Sequence, residues 1–184
     1  MTGQFGAQDL PQLTMDDFTL RAPQLADLEP LHNLTLADAM REFLGMQEPR
    51  LATTHERLLR TIGGWHLYGY GAFMVVHRPT GNLIANCGIF HSYRGLGDDF
   101  DDMPEAGWII AQKWQRQGLA RALMARIFQW FDSTQTPRRT VCMIEQGHDR
   151  SDNVALSLGF KHYRTTELSP DAERPMRLYE RYRG

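Results

Sequence analysis

The segment Gln115-Arg116-Gln117-Gly118-Leu119-Ala120 joins a run that reads as a buried strand to the first turn of a long apolar helix. A helix start leaves backbone N–H groups unpaired and carries the positive end of the helix dipole, while Gly118 and Ala120 let a bulky anion approach the backbone. These residues can therefore cradle an anion. Taken alone, Gly118 is more simply explained as the residue that permits a tight strand-to-helix turn. Other chemistries lack their parts. The seven histidines are scattered, no HxxxH or CxxC spacing offers a metal site, and neither GxxxxGK(S/T) nor GxSxG is present. Cys87 and Cys142 lie in apolar runs, NLIANCGIF and RTVCMIE, and read as reduced core residues.

The elements that must position this segment follow from periodicity. FTLRAP (Phe18 to Pro23) reads as a strand, and Leu25, Leu28, Leu31 and Leu34 share one helical stripe. A second helix is expected from Thr53 to about Ile62, stopped by Gly63 and Gly64. GAFMVVHR and NLIANCGIF, joined by Pro79-Thr80-Gly81-Asn82, read as a hairpin. Residues 94 to 102 (RGLGDDFDD) are an exposed acidic loop. EAGWIIA then reads as a buried strand, and Leu119, Leu123, Ile127 and Phe131 repeat every fourth residue as one face of a helix. RRTVCMIE is another strand, DRSDNVALSLGF a helix ending at Gly159, and PMRLYERYR a final alternating strand. A hairpin followed by strand, helix, strand predicts a mixed α/β fold in which an antiparallel part meets a parallel βαβ unit.

The 184 residues, 42% hydrophobic and 23% charged, suit one domain over 1–184, with 1–16 expected to be a loosely ordered extension. A net charge of −2 and pI near 6.4 lack the basic excess of a protein that lives on nucleic acid or anionic lipid. No apolar run approaches the roughly 20 residues of a membrane span, and the N-terminus has no targeting pattern, so a cytoplasmic protein is expected. Four tryptophans and the apolar last strand allow a homodimer, though core packing accounts for them equally well.

The stretch GWIIAQKWQRQGLARALM resembles motif A of the GNAT N-acetyltransferase superfamily, (Q/R)xxGx(G/A) after a strand, with Gln115, Gly118 and Ala120 at its three defining positions. Gly107-Trp108, Trp114 and GLARAL look like the RimJ/RimL-like branch, whose founding members acetylate protein N-termini. GGWHLYGYGAFMVVHRPTGNLIANCGI is similar to the hairpin region of that branch, and HDRSDNVALSLGF to its fourth-helix motif. The resemblance runs from about Leu20 to the C-terminus. It implies a twisted, largely antiparallel sheet with a central splayed parallel strand pair and helices on both faces. It also implies acetyl-CoA as co-substrate and no metal, the pyrophosphate on the backbone amides of Gln115 to Ala120 and the pantetheine arm along Trp108-Ile109-Ile110. Arg116, and less directly Lys113 or Arg121, would neutralise phosphate charge; Lys113 is more simply solvated surface.

The same resemblance places candidates for acyl transfer to an amine, which needs a proton acceptor, an oxyanion donor and a proton for the departing thiolate. Glu105 would take the amine proton directly or through water, or else is a sheet-edge carboxylate. A backbone N–H of Ile109 or Ile110 would hold the oxyanion. Ser151 would face the thioester sulfur, or else cap its helix. His148 stands where the family pattern has asparagine and is still able to donate to a CoA amide or carbonyl. His162 and Tyr163 follow the LGF turn, on the acceptor side or as packing residues at a strand start. Asp98, Asp99, Asp101 and Asp102 form either an electrostatic funnel for a cationic amine or a solvated loop. The expected activity is N-acetyl transfer from acetyl-CoA to a primary amine, a protein N-terminus or a small molecule. The alternatives are an acyl-CoA-binding or regulatory protein of the same fold without turnover, and transfer of another acyl group such as succinyl.

Overall fold

The computed structural model describes residues 10–36, 50–168 and 174–184. Strands β1 (Leu13–Met15) and β2 (Phe18–Arg21) lead through a 3-10 turn at Leu25–Asp27 into α1 (Leu28–Leu36). Helix α2 (Leu51–Tyr68) precedes the hairpin β3 (Ala72–His77) and β4 (Asn82–His91). Then come β5 (Pro104–Ile110), α3 (Leu119–Thr134), β6 (Arg139–Glu145), α4 (Asp149–Ser157), β7 (Lys161–Thr166) and β8 (Met176–Tyr182). The eight strands form one sheet in the order β1-β2-β3-β4-β5-β6-β8-β7. Every neighbouring pair is antiparallel except β5 and β6, so the expected mixed fold with one central parallel pair is what forms.

Burial on both faces explains why β4 reads as a nearly unbroken apolar run. Met74 and Ile109 pack on one side against Leu31 and Leu34 of α1 and Leu58 of α2. Phe73, Val75, Cys87 and Ile110 pack on the other against Leu123, Met124, Ile127 and Phe131 of α3. Each such side chain contributes roughly 1.5–3 kcal/mol by leaving water. Both cysteines are buried free thiols, and among the described residues no helix is long and apolar enough to cross a membrane.

Two expectations are corrected. Gly63 and Gly64 do not stop α2, which continues to Gly69 in the left-handed conformation (φ 74°). The reason lies beyond the glycines: Trp65 is fully buried edge-on to Phe73, and its Nε1 donates to the Ala72 carbonyl at 3.0 Å. Burial of that indole outweighs the roughly 1 kcal/mol that each interior glycine costs a helix. Within the expected loose extension, Leu13–Met15 is ordered as the edge strand β1, pairing Leu13 with Leu20. Strand β8 lies between β6 and β7, and the four tryptophans all sit in or against the main core.

Candidate active site

The site begins as a defect in the sheet. β5 pairs with β4 along its whole length, from His91 opposite Pro104 to Ala85 opposite Ile110. On its other side it meets β6 at one position, Glu105 opposite Val141. β6 meanwhile pairs fully with β8, from Arg139 opposite Tyr182 to Glu145 opposite Met176. The edge of β5 that faces β6 therefore pairs with no strand beyond Glu105, and Trp108, Ile109 and Ile110 lie along it. A free strand edge offers N–H and C=O groups to an extended, amide-bearing ligand as it would to a peptide.

The cradle sits where that edge ends. A 3-10 turn, Gln112–Trp114, is followed by Arg116 at φ 61° and Gly118 at φ 74°, the second being the N-cap of α3. Left-handed residues alternating with ordinary ones turn successive N–H groups into one concavity, and no side chain caps α3. Gln115 closes this loop onto the strand: its Nε2 donates to the Ile110 carbonyl at 2.9 Å. Its Oε1 accepts from Nη1 of Arg150 at 3.4 Å, bringing the first turn of α4 to the cradle. Arg150 went unmarked in the sequence, where only its place between His148 and Ser151 hints at this position. Lys113, Arg116, Gln117 and Arg121 are exposed around the rim, while Leu119 and Ala120 are half-buried.

Across the opening, His148 rather than Ser151 is the N-cap of α4, its Nδ1 accepting from the Ser151 N–H at 3.1 Å. The Ser151 hydroxyl is thereby free of capping, and its oxygen accepts from Nε1 of Trp108 at 3.3 Å. Asp152, buried one residue on, takes Nη1 of Arg177 at 2.8 Å and the Tyr179 hydroxyl at 2.7 Å. These bonds fasten α4 to β8, and burial with the Asp152 carboxylate pushes the Tyr179 hydroxyl up to about 12.

At the apex, Glu105 is 3% exposed and central in the sheet, not an edge carboxylate. Nε and Nη2 of Arg94 donate to its two oxygens at 2.7 Å each, and the Ser92 hydroxyl also donates to it. The acidic loop is held by bonds within its own neighbourhood. Asp101 accepts the N–H groups of Arg94, Leu96 and Gly97, which hold its carboxyl below the usual range. Asp99 pairs with Arg164 at 3.0 Å, Asp102 binds His91 and Tyr93, and Phe100 anchors the loop against Val141 and Leu178. Arg164 offsets the charge of Asp99, while backbone N–H groups and the Tyr93 hydroxyl fix Asp101 and Asp102 in place without cancelling theirs. His162 and Tyr163 lie on β7, separated from β5 by β8 and β6; Tyr163 packs with Phe100 against Val141 and Leu178, and His162 meets Tyr179 edge-on. Among the described residues no three histidine, cysteine or acidic side chains converge as metal ligands.

Residues 17–161 match the family described as the acetyltransferase (GNAT) domain. No curated protein matches the chain. Among solved structures, a protein assigned to the GnaT acetyltransferase family from Bordetella pertussis superposes with a TM-score of 0.82 at 25% identity, over 93% of this chain and 99% of that one. RimL, a ribosomal L7/L12 alpha-N-protein acetyltransferase, gives 0.75 at 14% identity, over 97% of each chain. The aminoglycoside acetyltransferase AAC(6')-Ib, in complex with coenzyme A, gives 0.70 at 17% identity, over 90% of this chain and 95% of that one. The match spans the hairpin, the open strand pair, the cradle and α4 together, and the chain belongs to the GNAT acetyltransferase family.

Proposed function

We propose that the protein transfers the acetyl group of acetyl-CoA to a primary amine by direct attack in a ternary complex. The observation that carries this reading is the unpaired edge of β5 running into the left-handed cradle at Arg116 and Gly118. The pyrophosphate rests on the N–H groups of Gln115 to Ala120, with Arg116 and Arg150 near its charge, and the pantetheine amides pair with Trp108, Ile109 and Ile110. His148 contributes by capping α4 and so setting the place of Ser151. The likeness to a protein acetyltransferase and to an aminoglycoside acetyltransferase held with coenzyme A supports both the co-substrate and an amine acceptor.

In the transfer, the amine nitrogen bonds to the thioester carbon and the carbonyl electrons move to oxygen, where the N–H of Ile110, on the side of β5 away from β4, stabilises them. The amine proton passes to Glu105, which requires the incoming amine to displace Arg94 or Ser92 from the carboxylate. Collapse breaks the carbon–sulfur bond, and the departing thiolate takes its proton through the Ser151 hydroxyl, which is reprotonated from solvent as Glu105 returns the amine proton to solvent. The indole N–H of Trp108, by occupying a lone pair of the Ser151 oxygen, leaves that proton free to point at sulfur.

Thermal stability with acetyl-CoA or CoA, followed by thiol release on adding amines, tests this. Cofactor at a hundred times its dissociation constant is expected to stabilise by about 2.7 kcal/mol, with one thiol released per amide formed. The full occupation of Glu105 by Arg94 and Ser92 favours a second reading, a CoA-binding protein without turnover; stabilisation with no thiol release from any amine is its signature. No stabilisation by either cofactor overturns both.

A further inference from the structure

The face of the sheet opposite α3 is covered in two pieces. Helices α1 and α2 pack over Met74 and Ile109, and the loop carrying Phe100 packs over Val141 and Leu178. Glu105 and Ile109 point to this face, since alternate residues of a strand share a side. With α3 against the other face and the pantetheine along the edge, an amine reaches the thioester from here. Polar groups of this face include Arg57 on α2, Asn86 on β4, Arg94 on the loop and Glu105 on β5.

Arg57 is out of balance. A guanidinium has five N–H groups to satisfy, and the acceptor found for it among the described residues is Oδ1 of Asn86 at 3.0 Å. Asn86 is 4% exposed, sits opposite Ile109, and is held by its own Nδ2 donating to the Phe73 carbonyl at 3.1 Å. Its oxygen is thus turned towards Arg57, and a buried polar side chain serves to aim an arginine. Burial, then repulsion from Arg60 and Arg94, brings the Arg57 pKa down to about 10, which leaves it charged at neutral pH. The acid of this face, Glu105, is already taken by Arg94 in a two-pronged pair. Arg57 is therefore a cation of this face with no ion-pair partner among the described residues, on a planar fork that matches carboxylate or phosphate oxygens.

We infer that the acceptor is an amine that carries an anionic group, a carboxylate or a phosphate, and that Arg57 binds this group beside the open edge of β5. The inference rests on the acetyl-transfer reading and narrows its substrate class. It sets polycationic amines apart as poor acceptors, because they would bring further positive charge to a cation that has no ion-pair partner among the described residues.

The test measures thiol release at saturating acetyl-CoA for matched amines: an α-amino acid against its amide, phosphoethanolamine against ethanolamine, and spermidine as the polycation. In at least one pair, the anionic member is expected to exceed its neutral partner by about tenfold or more in kcat/KM, as loss of a charge-assisted hydrogen bond implies. Which pair shows the advantage tells carboxylate from phosphate. R57Q should bring the ratio towards one through KM, while R57K retains part of it. Thermal stabilisation of both variants by acetyl-CoA reports that they are folded. Equal or better turnover of neutral amines or spermidine overturns the inference, as does an anionic preference that survives R57Q. Failure of every anionic amine while neutral amines are turned over overturns it too. No thiol release from any amine, or no acetyl-CoA binding by the unaltered protein, strikes the transfer reading itself, so the two failures are distinct.

Discussion

Gly118 holds φ 74° with open space where a side chain would stand, so its replacement by alanine acts on the backbone alone. G118A is expected to cost about 1–2 kcal/mol in a denaturant titration, the strain of an L-residue in the left-handed region. It should also weaken acetyl-CoA binding, because relief of that strain reshapes the cradle. The cysteines make a different residue-scale prediction. Burial pushes the Cys87 thiol up to about 12 from its ordinary 9.0, and Cys142 rises through burial and the nearby charges of Glu105 and Asp152. An acid whose pKa is raised by folding stabilises the fold fully below its unfolded value. That contribution is lost as pH climbs from about 9 towards 12. Denaturation midpoints should fall over this interval, and substitution of Cys87 by alanine should flatten the fall. Below it, both thiols should stay silent towards a thiol reagent until denaturant is added, which keeps them from interfering with a thiol-release assay.

At the scale of elements, α2 shows how tertiary packing overrides local preference. Nothing lies within 4 Å of a Cβ built on Gly63 or Gly64, so alanine at either position should stabilise by about 1 kcal/mol and raise Tm. Periodicity and turn chemistry made the β3–β4 hairpin, β5, α3, β6 and α4 legible in the sequence, because each carries its signal within its own residues. The cradle was legible for the same reason: Gln115, Gly118 and Ala120 are neighbours. The partners of Glu105 were not, since Ser92 and Arg94 lie across a loop whose path no local pattern records. Nor was the meeting of Trp108 with Ser151 or of Arg57 with Asn86, which depends on register between strands and on which helix covers which face.

For the molecule as a whole, Asp152 joins the first turn of α4, next to Ser151, to the strand that completes the sheet. D152A strips the partner from the Tyr179 hydroxyl and from Arg177, and should cost about 1–3 kcal/mol for the buried group left unsatisfied. A loss of acetyl-CoA affinity beyond what D152A costs in stability would show that the tether also sets the position of Ser151. The strand order has a further consequence, for synthesis. Because β8 inserts between β6 and β7, a nascent chain that has emerged only as far as Thr166 holds two strands with no partner for each other, and β6 waits with one side bare. The long-range pairing that closes the sheet comes last, so this half of the protein is expected to stay exposed to aggregation during translation until Met176–Tyr182 clears the ribosome.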